Sequence, residues 1–233
     1  MANRRGPGKT ATSNDRSANR IEMRKRILIV CEGVESEPNY FKAIIAFHRL
    51  NGRVIDGQKL DLQVSGTGRN TLSLVNYAES QRGSGAEIYN EVWCVFDKDD
   101  FEDDDFDNAI QKANEIKFLH AAWSNEAFEL WYVLHFDYHH VSTTHRGKVR
   151  SYYKQRLDEL LKKHFNKDKY EKNDPGMYLL LGDTRFAVAI VNAKRLLTLY
   201  KDSEPYHKCK PATTVHELVE ILRKYAPEAT YAK

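Results

Sequence analysis

Acidic side chains recur in this sequence just where apolar runs end. The run 27–30 gives way to Cys31, Glu32 and Gly33, with Glu35 and Glu37 close behind. "EVWCVF" (91–96) gives way to "DKDD" (97–100), and "FLHAAW" (118–123) to "SNEAFE" (124–129). A turn after a buried strand needs a glycine, but it has no use for a carboxylate. Two carboxylates about 4 Å apart repel by roughly 4 kcal/mol at an effective dielectric near 20. Glu32, Asp97 and Asp99, if gathered in one place, therefore require a cation or raised pKa values. Carboxylate oxygens with an open water shell suit Mg²⁺ or Mn²⁺. Two such ions about 3.5–4 Å apart clamp the attacking and leaving oxygens of a phosphodiester. Acids at a helix start have a plainer use, since they complement the dipole. That accounts for Glu102, Asp103, Asp104, Asp105 and Asp107, but poorly for Asp97, which follows its strand directly.

Gathering these acids falls to the elements between them. Residues 27–31, 60–65, 91–96 and 118–123 read as strands, from their alternation or their β-branched and aromatic content. Helices over 37–50, 71–82 and 106–117, and one from Ser124 or Asn125 to about His135, alternate with them. Ser36 is placed to cap the first helix, with Pro38 in its first turn, and Asn70 or Thr71 to cap the second. The alternation predicts an α/β fold with a doubly wound sheet of about four parallel strands. In such a sheet ligands bind at the carboxyl ends of the strands, and three of the four ends carry acids. The remaining end is the Gly-rich "GTGRNT" (66–71), which is either a plain turn or a cradle in which backbone amides and Arg69 hold a phosphate. Beyond residue 137 the spacing is helical over 147–165, 183–200 and 213–225, with a charged linker at 166–177. The expected organisation is a disordered basic tail (1–25), an α/β domain (26–137) and a helical extension packed on it (138–233).

Composition narrows the setting. The 233 residues are 41% hydrophobic and 30% charged, enough for a core in a soluble chain. No apolar run approaches the roughly 20 residues of a membrane span, and no apolar stretch follows the basic N-terminus as in a secretory signal. Three scattered cysteines with no CxxC spacing favour neither a zinc site nor disulfides, so a cytoplasmic setting is expected. The net charge of +3 hides segregation: residues 1–26 hold eight Lys and Arg against Asp15 and Glu22. This segment, with Arg24, Lys25 and Arg26 at its end, reads either as a solubilising tail or as an arm gripping a phosphate backbone. Lys98, between the two aspartates, and the basic stretch Lys148, Arg150, Lys154 and Arg156 are further candidates for nucleic acid. His135, His139, His140 and His145 lack the spacing of a zinc site and read as boundary histidines. Trp123, Phe128, Trp131, Tyr132 and Phe136 read as core. No GxxxxGK[ST] occurs, which excludes that route of ATP hydrolysis.

Four segments together carry a resemblance. "ILIVCEGVESEPNYF", "VWCVFDKDDF", "SNEAFELWYVLHF" and "PATTVHELVEIL" resemble, in that order, the motifs of RloB-like proteins, a bacterial group in the Toprim superfamily. The resemblance covers roughly residues 26–225. It implies a Toprim fold, with residues 26–137 as a catalytic domain, and a metal-dependent phosphotransfer site. By it Glu32 is the general acid/base or metal-linked glutamate, and Asp97 and Asp99 are metal ligands. Glu37 matches the second acid of the opening motif, and Glu129 the acid of the third. Asn125-Glu126-Ala127 stands where the family tends to have Asn-Pro-Cys, which raises the question of whether Glu126 adds a ligand. The implied activity is a Mg²⁺- or Mn²⁺-dependent nuclease acting on RNA or DNA in antiviral defence. An ATPase or sensor encoded nearby is the implied partner, and self-association is a further expectation. A non-cleaving binding module is the alternative.

Overall fold

The computed structural model describes residues 23–99, 102–141 and 149–227. Residues 1–22, Asp100, His145 and Lys148 lie outside them, and with them most of the basic tail. The strands are β1 (Arg24–Cys31), β2 (Val54–Ile55), β3 (Gln58–Gly66), β4 (Glu91–Asp97), β5 (Leu119–Asn125) and β6 (Ala212–Thr213). They form one sheet in the order β2-β3-β1-β4-β5-β6. The sheet is therefore six-stranded and mixed, a correction to the expectation of about four parallel strands. The four long strands are parallel, but β2 and β6 add antiparallel edges. Two-residue strands are too short to show a period in sequence.

The helices are α1 (Ser36–Phe47), α2 (Thr71–Ser80), α3 (Asp103–Glu115), α4 (Glu129–Leu134), α5 (Val149–Phe165), α6 (Met177–Leu197, broken at Gly182) and α7 (Val215–Lys224). Successive strand residues point to opposite faces, and the β1 apolar run divides that way. Ile27, Ile29 and Cys31 join the core beneath α1 and α4 to α7, while Leu28 and Val30 join the core beneath α2 and α3. The larger core mixes residues from both sides of residue 137, such as Tyr40, Trp131, Tyr153 and Leu218.

Polar bonds tie the late part of the chain to the early part. The Trp131 indole donates to the Tyr40 hydroxyl (2.6 Å), and the Ser36 hydroxyl donates to the Lys172 carbonyl (2.9 Å). Ser36 thus does not cap α1, whose start has no side-chain cap. Ser124 and Asn125 are not caps either. They end β5, where Ser124 bonds the Thr213 hydroxyl and Asn125 donates to the carbonyls of Tyr206 and His207. Asn70 does cap α2, accepting from the Ser73 N–H. Among the described residues no helix is long and apolar enough to cross a membrane.

Candidate active site

Because strand order reverses direction at β1, a crevice opens at the carboxyl ends of β1 and its neighbours. Backbone bonds hold the ends in step there. The Glu32 N–H donates to the Val95 carbonyl (2.8 Å), the Thr67 N–H to Cys31 (3.0 Å) and the Gly68 N–H to Glu32 (2.9 Å). Two glycines make this approach feasible. A Cβ on Gly66 would lie 2.7 Å from the Gly33 carbonyl, and one on Gly33 would lie 2.3 Å from a Glu37 carboxylate oxygen. The strand-end glycine thus gives Glu37 the room to fold back over the end of β1.

Five carboxylates meet at this edge. Glu32 follows β1, Glu37 lies in the first turn of α1, Asp97 ends β4, Asp99 follows it, and Glu129 opens α4. The Asp97 N–H donates to Glu32 Oε2 at 3.4 Å. Glu129 accepts from the Tyr170 hydroxyl (3.1 Å), which also lies 3.3 Å from the Ser36 hydroxyl. Glu37 and Asp97 are less well provided for: Glu37 Oε2 and Asp97 Oδ1 are buried and have no hydrogen-bond partner.

Burial and mutual repulsion set the charge state of the cluster. Desolvation pushes Glu32 up to about 7; Glu37 and Asp99 push the same way, opposed by the Asp97 N–H and by Arg150. Desolvation also raises Asp97 well above the carboxylate range, with Glu37, Glu129 and Glu32 adding to it. Glu37 is raised by burial and by Glu129, against its own backbone N–H and the charges of Lys172 and Arg150. A carboxyl titrating near 7 is matched to taking or giving a proton at neutral pH. The bare oxygens of Asp97 and Glu37 need a proton or a cation.

A family model described as RloB-like protein matches residues 27–222. The chain belongs to that family. No curated protein and no solved structure matches the chain. The match runs from β1 into α7 and includes all five clustered acids.

The chemistry of this donor set, hard carboxylate oxygens, fits a divalent ion such as Mg²⁺ or Mn²⁺. Among the described residues no group of three His, Cys, Asp or Glu is arranged to hold a metal ion by itself. Mg²⁺ typically takes one or two carboxylates and completes its shell with water and substrate phosphate, so the fit is to an open site and not to a closed protein cage. Asp97 and Glu37, with their unpartnered oxygens, are the residues best placed to contribute.

Sequence reasoning did not single out Arg150 for this site. Its guanidinium donates to Asp99 Oδ2 at 2.5 Å, from the first turn of α5. In sequence it is one cation of a basic stretch, and nothing local ties it to an acid 51 positions away.

Other candidates lie elsewhere or are already engaged. Arg24, Lys25 and Arg26 belong to β1, not to a tail, and occupy its amino end, opposite the acids. Arg26 is buried, paired with Asp61 and Glu87 at 2.8 Å each. Lys98 is buried and bridges Asp103 at 3.0 Å. Arg69 stacks on Tyr77, 4.3 Å from the ring centroid, in the turn beside the end of β1. Glu126 sits in the turn before α4, where its carbonyl accepts the Asp99 N–H (3.0 Å). Its charge bears on Tyr152, Tyr153 and Tyr200. His135 is buried between Trp131 and Phe186, His139 bonds the Tyr152 hydroxyl, and His140 stacks on Tyr138.

Proposed function

We propose that this chain is a divalent-metal-dependent nuclease with a Toprim-type site, cleaving phosphodiesters of RNA, such as tRNA, or of DNA. In this reading it is a cytoplasmic effector of a bacterial antiviral defence or restriction-associated system, acting with an ATPase or sensor encoded nearby. The observation that supports it most is the pair of buried, unpartnered oxygens on Asp97 and Glu37, set beside Glu32, Asp99 and Glu129. Asp97, Asp99, Glu37 and Glu129 are the residues that would hold Mg²⁺ or Mn²⁺, with Glu32 linked to them. The ion, when bound, supplies Lewis-acid stabilisation of charge on the phosphoryl oxygens. Glu32, titrating near neutrality, moves the proton of the attacking water or of the leaving oxygen. In this reading Arg69, which lies over Tyr77 in the Gly-rich turn beside Glu32, would meet the backbone of the nucleic acid.

The alternative is a Toprim module that binds nucleic acid or a partner without cutting. The absence of a three-membered ligand set among the described residues is the observation in its favour. One experiment separates the two. The purified chain, alone and with its genomic neighbours, is incubated with tRNA, mRNA and plasmid in Mg²⁺, Mn²⁺ or EDTA. Metal-dependent products that vanish in EDTA support the nuclease. Binding without products under every condition leaves the module.

A further inference from the structure

Arg150 is a counter-charge common to the whole acid cluster. Beyond its bond to Asp99, its charge acts on Glu32 and Glu37, and Asp97 and Glu129 act on it in turn. Arg150 thus bears on all five carboxylates, whereas Lys172 is the other cation that acts on Glu37. Its side chain is 69% exposed while that of Asp99 is 17% exposed, so a solvent-facing arginine is paired with a largely buried member of the acid cluster. The two partners differ in freedom. Asp99 is fixed by its backbone, with φ at 39° in the left-handed region and its N–H bonded to the Glu126 carbonyl. That conformation is uncommon for a non-glycine residue and marks a position held by its surroundings. Arg150 reaches the site on a long, flexible, mostly exposed side chain, so it is the partner able to leave.

We infer that Arg150 competes with the divalent cation for Asp99, and that once displaced it grips a phosphate of the nucleic acid. The inference rests on the proposed metal-dependent site and adds an order of events to it. In the metal-free protein the guanidinium shields the acids. When a cation takes up their charge, the attraction that held Arg150 is replaced by repulsion between like charges. The guanidinium is then redirected to an anion, and its planar fork matches a phosphate with two parallel hydrogen bonds. Arg150 is by this account a positioning and substrate-binding residue whose two partners alternate.

The test compares wild type, Arg150→Ala and Arg150→Lys, all full-length. Mn²⁺ binding is followed by electron paramagnetic resonance. Binding of a labelled single-stranded oligonucleotide, in RNA and in DNA form, is followed at several salt concentrations. Removing one charge at contact distance should tighten Mn²⁺ binding by Arg150→Ala about tenfold. Its oligonucleotide affinity in Mn²⁺ should fall about tenfold, with the salt slope reduced by about one. Arg150→Lys should keep near-wild-type Mn²⁺ affinity but lose part of the oligonucleotide affinity, because the charge remains and the fork does not. A merely structural arginine would not improve metal binding when removed. If wild type binds Mn²⁺ and Arg150→Ala binds it no more tightly, this inference falls and the nuclease reading stands. If neither binds Mn²⁺, both fall. Tighter Mn²⁺ binding with unchanged oligonucleotide affinity overturns the phosphate grip.

Discussion

The two ends of β1 carry charge of opposite sign and treat it in opposite ways. At the amino end, Lys25 pairs with Glu91 (3.2 Å) and lies over Tyr225, while Arg26 meets Asp61 and Glu87 and stacks on Tyr89. Even the Arg26 backbone N–H is taken, by Asn90 Oδ1 at 2.7 Å. At the carboxyl end, acids face acids, and two of their buried oxygens have no partner. Charges that close on one another within the chain contribute to folding. Charges left unpaired in a low-dielectric setting raise the energy of the fold, and persist where a ligand relieves them. The basic edge thus has its charges closed within the fold, whatever its resemblance in sequence to a nucleic-acid arm, and the acidic edge is where the proposed function rests.

The largest expected effect is at Asp97. Asp97→Asn should abolish metal-dependent cleavage and the rise in melting temperature that Mg²⁺ or Mn²⁺ gives wild type, since binding to the native state stabilises it. Without metal the variant should melt no lower than wild type, because Asn resembles the protonated acid that burial favours there. A metal-dependent shift retained in Asp97→Asn would remove this residue from the site.

Next comes Glu32. Glu32→Gln keeps the shape and loses the proton-transfer function, so cleavage should fall by about 10²–10⁴-fold, with nucleic-acid binding within a few-fold of wild type. Near-wild-type cutting by this variant would end its role as acid or base.

A smaller effect is expected from pH. The folded pKa of Glu32, about 7, lies above its ordinary value of 4.5, so the native state holds a proton that the unfolded chain releases. Metal-free stability should be highest below pH 4.5 as far as this group is concerned and fall as pH rises toward 7, by about 2–3 kcal/mol. Chemical denaturation in EDTA across that window measures it. Glu32→Gln should flatten the slope, and an equal slope in the variant would show that other groups are responsible.

The smallest effect is at the basic edge. Arg26→Ala leaves Asp61 and Glu87 without their partner and should cost about 1–3 kcal/mol, with nucleic-acid affinity unchanged. A loss of affinity with no loss of stability would reverse the contrast between the two edges.

Much of this was legible in sequence because strand ends announce themselves. The apolar run before Glu32 and the one before Asp97 each end abruptly at a charged group, and parallel strands bring such ends to one edge. What was hidden depends on distant partners. Arg26 continues a basic run and reads as tail, since Asp61 and Glu87, which hold it in β1, lie 35 and 61 positions away. Arg150 reads as one cation among several until the fold lays it on Asp99. Ser124 and Asn125 have the composition of helix caps, but the paired Thr213 and Ala212 keep them in a strand. Glu126 and Glu129 look alike in sequence; the turn before α4 sends one toward Tyr153 and the other to Tyr170.

The bond that Ser36 makes with Tyr170 spans 134 positions, and the one between Trp123 and Thr214 spans 91. Contacts so far apart form slowly, because long loops must close before they are rewarded. Ribosomal synthesis adds a direction to this. The strands bearing the acids emerge first, with the apolar faces that α5, α6 and α7 will cover still bare. Arg150, Tyr170 and Lys172, which neutralise or brace the acids, arrive later, and Thr214 later still. The acid cluster thus gains these neighbours only after α5, the segment that follows it and Thr214 have been made. On the nuclease reading, a nascent chain interrupted between α4 and α5 carries every acid of the cutting machinery but not Arg150, Tyr170 or Lys172.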